Sequence, residues 1–316
     1  MHILVNGWFT GQQSAGSGQY LYYLLPQLAL QAPTTHFTLL IPQGWQPVFA
    51  EPLPANVVLA AQKLPSLPKN LAKLWWEQLT VPLVARRVQA DVLWVPYWAA
   101  PWWQPVPTTV TVHDMIPLIL PDYRGGVLNQ LYTALVSATT RRACSIITVS
   151  QASKRDIVQH LHVPAEKVHV VYHGPNTEPT TRTTSALPDA IRGKYQLPAR
   201  YFLYLGGFDV RKNLRGALSA YKRYLEHGGD PSLKFVIAGK LPLVDSAFAP
   251  DPRHMAAELG LADQLHFCGW VADEDKPALY AGATAFVFPS LYEGFGMMIL
   301  EAQSAGTPLL SSDETS

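Results

Sequence analysis

The stretch TAFVFPSLYEGFGMMILEAQSAGTPLLSS, residues 284–312, decides the architecture of the chain. TAFVFPS is a short β-branched and aromatic run that stops at a proline and a serine, the signature of a buried strand. LYEGFG follows as a glycine loop. Met298, Ala302 and Ala305 then recur at i, i+4 and i+7, so a helix opens at Met297 and runs to Ser304. TPLLSS returns as another strand. A loop between such a strand and helix lies at the carboxyl edge of a sheet, where glycines let the backbone approach a ligand.

The same alternation extends over the rest of the sequence. HILVN, FTLLIP, NVVLA, DVLWVP, TTVTVH, SIITVS and KVHVVYH read as strands in the first half, and YFLYLG, KFVIAG and LHFCG in the second. Helical patterns lie between them at 17–30, 70–88, 128–143, 151–161, 214–226 and 273–281. Apolar strands alternating with helices predict parallel sheets covered on both faces. The fold class is therefore α/β, with two doubly wound Rossmann-like domains facing a cleft. Residues 1–176 form the first domain, the Thr-, Pro- and Ser-rich 177–190 a linker, and 191–316 the second.

Bulk properties narrow the function. The chain has 316 residues and 48% hydrophobic content, enough for two cores. Its net charge of +1 argues against a nucleic-acid partner, so any anion must be held by a local site. Cys144 and Cys268 sit far apart in apolar runs and read as buried free thiols of a reducing compartment. The opening MHILVNG lacks a signal-peptide pattern, and no apolar run reaches the roughly 20 residues of a spanning helix. The expected location is cytoplasmic, with the inner face of the membrane as a variant of it.

Two acids flank the glycine turn. Glu293 precedes it and reads either as a simple cap for the helix amides or as a ligand group. Glu301 lies about one turn above the helix start, roughly 6 Å, beside the buried stripe. There it is either a rim residue or an acceptor for vicinal sugar hydroxyls. YLGGFDVRKNL supplies cations at another strand-to-helix edge. Asn213 is the expected N-cap, and Arg211 and Lys212 precede it, suited to a phosphate. The reading requires both cations to point into one pocket with the acids, and neither acid to be locked in an internal ion pair.

In the first half, Gly16, Ser17 and Gly18 read as a flexible loop before a helix. The loop is not a dinucleotide fingerprint, because Leu21 stands where the third glycine belongs. VTVHDMIPL puts His113 and Asp114 at a strand end, where a structural and a functional histidine are both open.

YLGGFDVRKN, LHFCGWVADEDKPALYAGATAFVFPSLYEGFGMMILEAQSAGTP, VTVHDMIPL and GSGQYLYYLL together resemble family 4 of the retaining glycosyltransferases (GT4), with the GT-B fold. The spacing of Glu293 and Glu301 is that family's signature. The resemblance implies a nucleotide-diphosphate sugar donor bound by the second domain and a glycan or lipid-linked acceptor bound by the first. Arg211 and Lys212 would grip the diphosphate. Glu293 and the amides of Gly294, Phe295, Gly296 and Met297 would contact the transferred sugar, and Glu301 the ribose. The backbone near Trp270 would border the base, His113 would face the donor sugar, and Gly16 and Gly18 would close over the phosphates. GDP-mannose and UDP-glucose are the implied donors. No cofactor and no metal is implied: the acidic Asp273, Glu274 and Asp275 sit at a helix start and are expected to cap it. Family members continue past TPLLSSDETS with further helices, so the chain is expected to be C-terminally truncated.

The acceptor side is less defined. Tyr97, Trp98, Trp102 and Trp103 either stack on an acceptor sugar or fill the core. The amphipathic 70–87 segment either packs on its sheet, the expected case, or makes a peripheral membrane contact. Two other functions fit the same scaffold: a sugar-nucleotide epimerase, and a donor-binding remnant without turnover.

Overall fold

The computed structural model describes residues 1–12, 16–175 and 187–313. The chain forms two compact units, Met1–Tyr172 and His173–Ser316. Most of the expected linker, residues 177–186, lies outside the described residues.

The first unit carries a seven-stranded sheet in the order β3-β2-β1-β4-β5-β6-β7. Its strands are β1 His2–Asn6, β2 His36–Pro42, β3 Val57–Gln62, β4 Val92–Val95, β5 Thr108–Thr111, β6 Ser145–Thr148 and β7 Val168–Val170, all paired in parallel. Side chains alternate between the two faces. Val5, Leu39 and Trp94 face one core with Leu21, Leu25 and Ala29, while Leu4, Leu40, Leu93 and Val95 face the other with Trp76, Val81 and Val84. A one-residue slip would turn each strand's apolar set to the wrong face, at roughly 1.5–3 kcal/mol per large side chain exposed.

The second unit repeats the design with five parallel strands, in the order β10-β9-β8-β11-β12. They are β8 Arg200–Leu205, β9 Leu233–Ala238, β10 Leu265–Gly269, β11 Ala285–Phe288 and β12 Leu309–Ser311. Leu203, Val236 and Phe286 line one core, and Tyr204, Phe235 and Ile237 the other. In both sheets the chain starts centrally, winds to one side and crosses to the other. The direction reverses between β1 and β4 and again between β8 and β11. Crevices at such reversals are where open parallel sheets bind ligands.

Every expected strand is present. The helix at 70–88 is one rod of three segments: α2 Lys69–Trp75, a π-helical Trp76–Thr80, and α3 Val81–Arg87. Three helices escaped the sequence reading. The four-residue α4 Ile116–Ile119 is too short to show a period, and α9 Pro252–Leu259 follows a loop rich in proline and aspartate. The third, α7 Asp189–Tyr195, begins inside the segment assigned to the linker. The thiols differ too: Cys144 is exposed and Cys268 only half-buried, because Cys144 lies in the turn before β6 and not in the strand itself.

The glycines of the first half also need correction. Gly16, Ser17 and Gly18 are the first turn of α1 Gly16–Gln31, not a loop before it. A Cβ on Gly18 would sit 2.1 Å from the Gln12 carbonyl oxygen, whereas one on Gly16 would meet nothing within 4 Å among the described residues. Backbone packing alone thus accounts for glycine at 18. Gly18→Ala should destabilise the chain by about 1–3 kcal/mol, and Gly16→Ala should be neutral or slightly stabilising. Denaturant midpoints of the two variants check this; equal midpoints would remove the packing argument.

Candidate functional site

The loops after β8 and β11 flank the reversal point of the second sheet and are tied together. β8 ends at a glycine pair, and Val210–Lys212 form a single 3-10 turn before α8 Leu214–Glu226. Asn213 caps α8 as expected: its Oδ1 accepts from the Gly216 amide at 3.2 Å, in a left-handed backbone conformation. Its Nδ2 donates to the Pro289 carbonyl at 3.1 Å, across to the other loop. The Leu291 amide donates to the Arg211 carbonyl at 2.8 Å, and the Arg211 guanidinium to the Tyr292 carbonyl at 2.9 Å. These bonds fix Arg211, Lys212 and Glu293 in one place.

Glu293 bridges both cations. Its Oε2 lies 2.6 Å from the Arg211 guanidinium and its Oε1 2.6 Å from Lys212 Nζ. Lys212 Nζ also lies over the Phe288 ring, and Asp209 is 3.4 Å from Arg211 Nε. The expected convergence of Arg211, Lys212 and Glu293 is therefore present, but the condition that neither acid be held in an internal ion pair is not met for Glu293. The reason is physical. The three side chains are each only 12–13% exposed, and charges so enclosed must be compensated nearby. Burial pushes the Glu293 carboxyl up, but Lys212 and then Arg211 outweigh it and leave it below its ordinary value. With Asp209, the four groups sum to zero formal charge.

Glu293 and the adjoining helix share a loop. Gly296 adopts a positive φ of 87° and passes the chain into α11 Met297–Ser304. The first amides of any helix lack partners within the helix. Phe295 meets the ring of His173 edge-on at 4.9 Å.

Glu301 has different neighbours. It projects from the second turn of α11, and its Oε2 accepts from the Tyr280 hydroxyl at 3.0 Å. Burial pushes its carboxyl up, while Lys276 and Tyr280 pull it down. The two acids of the signature spacing thus lie in separate surroundings, one among cations and one beside a tyrosine of α10 Lys276–Gly282. Trp270 is exposed in the loop after β10.

The acidic run is not a cap. Asp275 makes no side-chain capping bond to α10; it accepts from Lys194 at 2.6 Å and from Tyr195 at 2.8 Å, and Asp273 pairs with Lys276. The run therefore joins α7 to α10, which its sequence position did not reveal because α7 was unrecognised. Among the described residues, no group of three or more His, Cys, Asp or Glu could hold a metal ion.

His113 follows β5 in the first unit, half-buried. Its Nε2 donates to the Pro96 carbonyl at 3.2 Å and its ring packs edge-on against Tyr20. Asp114 accepts from the Ile116 amide at 3.0 Å and starts α4.

The reversal point of the first sheet carries a polar cluster that the sequence reading missed. Asn6, at the end of β1, donates to Tyr97 at 2.8 Å and accepts from Trp76 at 2.9 Å. Glu77 is fully buried in the π-helical segment, 2.8 Å from Lys73 and accepting from Tyr132. Burial holds its carboxyl above the usual range, against the pull of Lys73. Phe9, Tyr97 and Tyr132 surround the Lys73 ammonium. Tyr97 is thus a core residue, while Trp102 and Trp103 are exposed. The signal available was register: Glu77 stands four residues from Lys73 and four from the buried Val81, on the inner side of the rod.

Residues 15–179 match the family described as Glycosyltransferase Family 4, and residues 189–316 the family described as Glycosyl transferases group 1. The chain is 32% identical over 211 residues to O-antigen chain mannosyltransferase B of Escherichia coli, covering 65% of this chain and 53% of that protein. It is 29% identical over 237 residues to the serotype-specific mannosyltransferase WbdA of Escherichia coli, covering 70% of this chain and 27% of that protein. It therefore spans about half of the one relative and about a quarter of the other. Among solved structures, Anabaena Alr3699/HepE in complex with UDP superposes with a TM-score of 0.63 at 18% identity, over 99% of this chain and 81% of that one. That likeness shows the fold, two Rossmann-like domains of the GT-B class.

Proposed function

Because this chain belongs to glycosyltransferase family 4, we propose that it transfers a hexose from a nucleotide-diphosphate sugar, with retention and without a metal, to a glycan or lipid-linked acceptor on the cytoplasmic side of a membrane. The observation that carries this reading is the placement of Arg211 and Lys212 beside the loop that leads into α11, at the reversal point of the second sheet; the Glu293 ion pair counts against it, and the reading requires a bound diphosphate to displace that pair. Two enclosed cations beside a helix N-terminus suit a diphosphate, and one oriented acid beside them suits a sugar hydroxyl.

In this mechanism the anomeric carbon's bond to the diphosphate breaks as the acceptor oxygen bonds to that carbon on the same face. The departing phosphate oxygen takes the acceptor's proton. Arg211 and Lys212 stabilise the charge that develops on the leaving group, the role in which fixed donors act most strongly. Glu293 releases at least one cation to the diphosphate and orients the sugar with the amides around Gly294 to Met297. Glu301 accepts from the ribose through the carboxylate oxygen that does not hold Tyr280, and the backbone near Trp270 borders the base. Glu301→Ala should weaken nucleotide affinity about tenfold, the loss of one charge-assisted hydrogen bond of ~1.4 kcal/mol. Calorimetry with GDP and UDP checks it, and unchanged affinity would contradict the ribose assignment.

Mannose is the favoured sugar, since the relatives bear mannosyltransferase names, with glucose on UDP as the alternative. The test is incubation with GDP-mannose and UDP-glucose in EDTA. Release of the nucleoside diphosphate supports the proposal. Sugar interconversion without release, or binding without either outcome, would replace it.

A further inference from the structure

Three consecutive residues of the π-helical turn reach three different elements. Trp76 Nε1 donates to Asn6, the last residue of β1, at 2.9 Å. Glu77 accepts from Tyr132 of α5 Val127–Thr140 at 2.9 Å. Gln78 accepts from the Trp102 amide at 2.8 Å and so holds the loop after β4. The i→i+5 turn makes this possible. Trp76 and Val81 would stand roughly 140° apart on an α-helix, yet both are fully buried. The wider turn, closed by the Val81 amide on the Trp76 carbonyl, brings them to one side and takes Glu77 inward with them. Such turns recur at functional sites.

The cluster they enclose lies at the carboxyl edge of the first sheet. Asn6 and Phe9 come at or just after the end of β1, Tyr97 just after β4, and Lys73 in the helix that follows β3. This is the reversal point of the sheet. A buried ion pair gains little stability over apolar residues of the same volume, so packing does not account for Lys73 and Glu77. An ammonium has three donors, and Glu77 at 2.8 Å and Tyr132 take two of those of Lys73. The Lys73 side chain remains 22% exposed while that of Glu77 is fully enclosed. Lys73 is therefore the member of the pair that a ligand can reach. An anion placed there would meet the Glu77 carboxylate as well as the ammonium, whereas a neutral hydroxyl meets no such opposition. The half-buried rings of Phe9 and Tyr132, 5.8 and 4.4 Å from the ammonium, add apolar surface beside it.

We infer that Lys73 is an acceptor contact that donates to a hydroxyl of an uncharged sugar, and that Glu77 is the positioning residue that aims it. The inference rests on the transfer reading. It adds which side chain meets the acceptor, and that the sugar met there carries no phosphate or carboxylate.

The test is saturation-transfer NMR of the wild-type chain without donor. The probes are the methyl glycosides of mannose, glucose and N-acetylglucosamine, and the 6-phosphates of the same three sugars. Binding of at least one uncharged glycoside is expected, tighter than that of its phosphate. Lys73→Ala alone would strand an enclosed acid, so the variant is Lys73→Met with Glu77→Gln, which should weaken glycoside binding about tenfold, the loss of one hydrogen bond. Glu77→Asp keeps the charge and draws it back by one methylene. It should raise the KM for the bound glycoside several-fold while the KM for the sugar nucleotide stays put, a split that general loosening of the fold would not give. Tighter binding of the phosphates, no binding of any uncharged glycoside, or wild-type glycoside affinity in the double variant would overturn the inference. Failure of the transfer reading would show separately, as no nucleoside diphosphate release by the wild-type chain from GDP-mannose or UDP-glucose, with or without a glycoside.

Discussion

Lys212→Ala is expected to lower sugar-nucleotide turnover by about 10²-fold or more, the usual cost of removing one fixed donor to a developing charge. The fold should persist, for a reason specific to this site. Without Lys212, Glu293 still holds Arg211 at 2.6 Å, so no enclosed acid is left alone. Arg211→Ala would be less clean, because Arg211 also binds the Tyr292 carbonyl and approaches Asp209. Steady-state release of GDP or UDP, with a melting curve as control, measures the effect. Wild-type turnover in Lys212→Ala would remove that residue from the reaction.

Glu293→Gln has the second large effect, and its two parts run in opposite directions. The charge set Arg211, Lys212, Asp209 and Glu293 goes from zero to +1, so nucleoside diphosphate should bind about tenfold more tightly, ~1.4 kcal/mol. Turnover should nevertheless fall, because the acceptor facing the sugar loses its charge, and a charge-assisted hydrogen bond is roughly twice as strong as a neutral one. Product inhibition by GDP and kcat, measured on the same variant, separate the parts; weaker inhibition would contradict the bridge as described. A pH signature accompanies them. The folded-state carboxyl is held below its ordinary 4.5, so the stability it contributes is complete above that value and is lost as pH falls through the folded value. The difference in unfolding free energy between wild type and Glu293→Gln should be constant above pH 4.5 and shrink below it.

Sequence pattern revealed the fold almost completely because two periods coincide with two cores. Val5 and Leu4 face opposite sides of one sheet, and Tyr204 and Leu203 opposite sides of the other. The cap at Asn213 was legible for the same local reason. Long-range compensation was not. Spacing could not show that Glu293 would take both cations, that Tyr280 would hold Glu301, or that Asp275 would pin Lys194 instead of capping a helix. Those outcomes depend on which charged groups the finished sheet encloses together. The π-helical turn at Trp76–Thr80 was equally hidden, since the apolar residues on both sides of that rod obscure its period.

A crystal structure with GDP or UDP bound tests the central claim most directly. The account predicts pyrophosphate oxygens within about 3.2 Å of Lys212 Nζ and the Arg211 guanidinium, with Glu293 withdrawn from at least one of them. Pyrophosphate bound elsewhere, with Glu293 still spanning both cations, would contradict it.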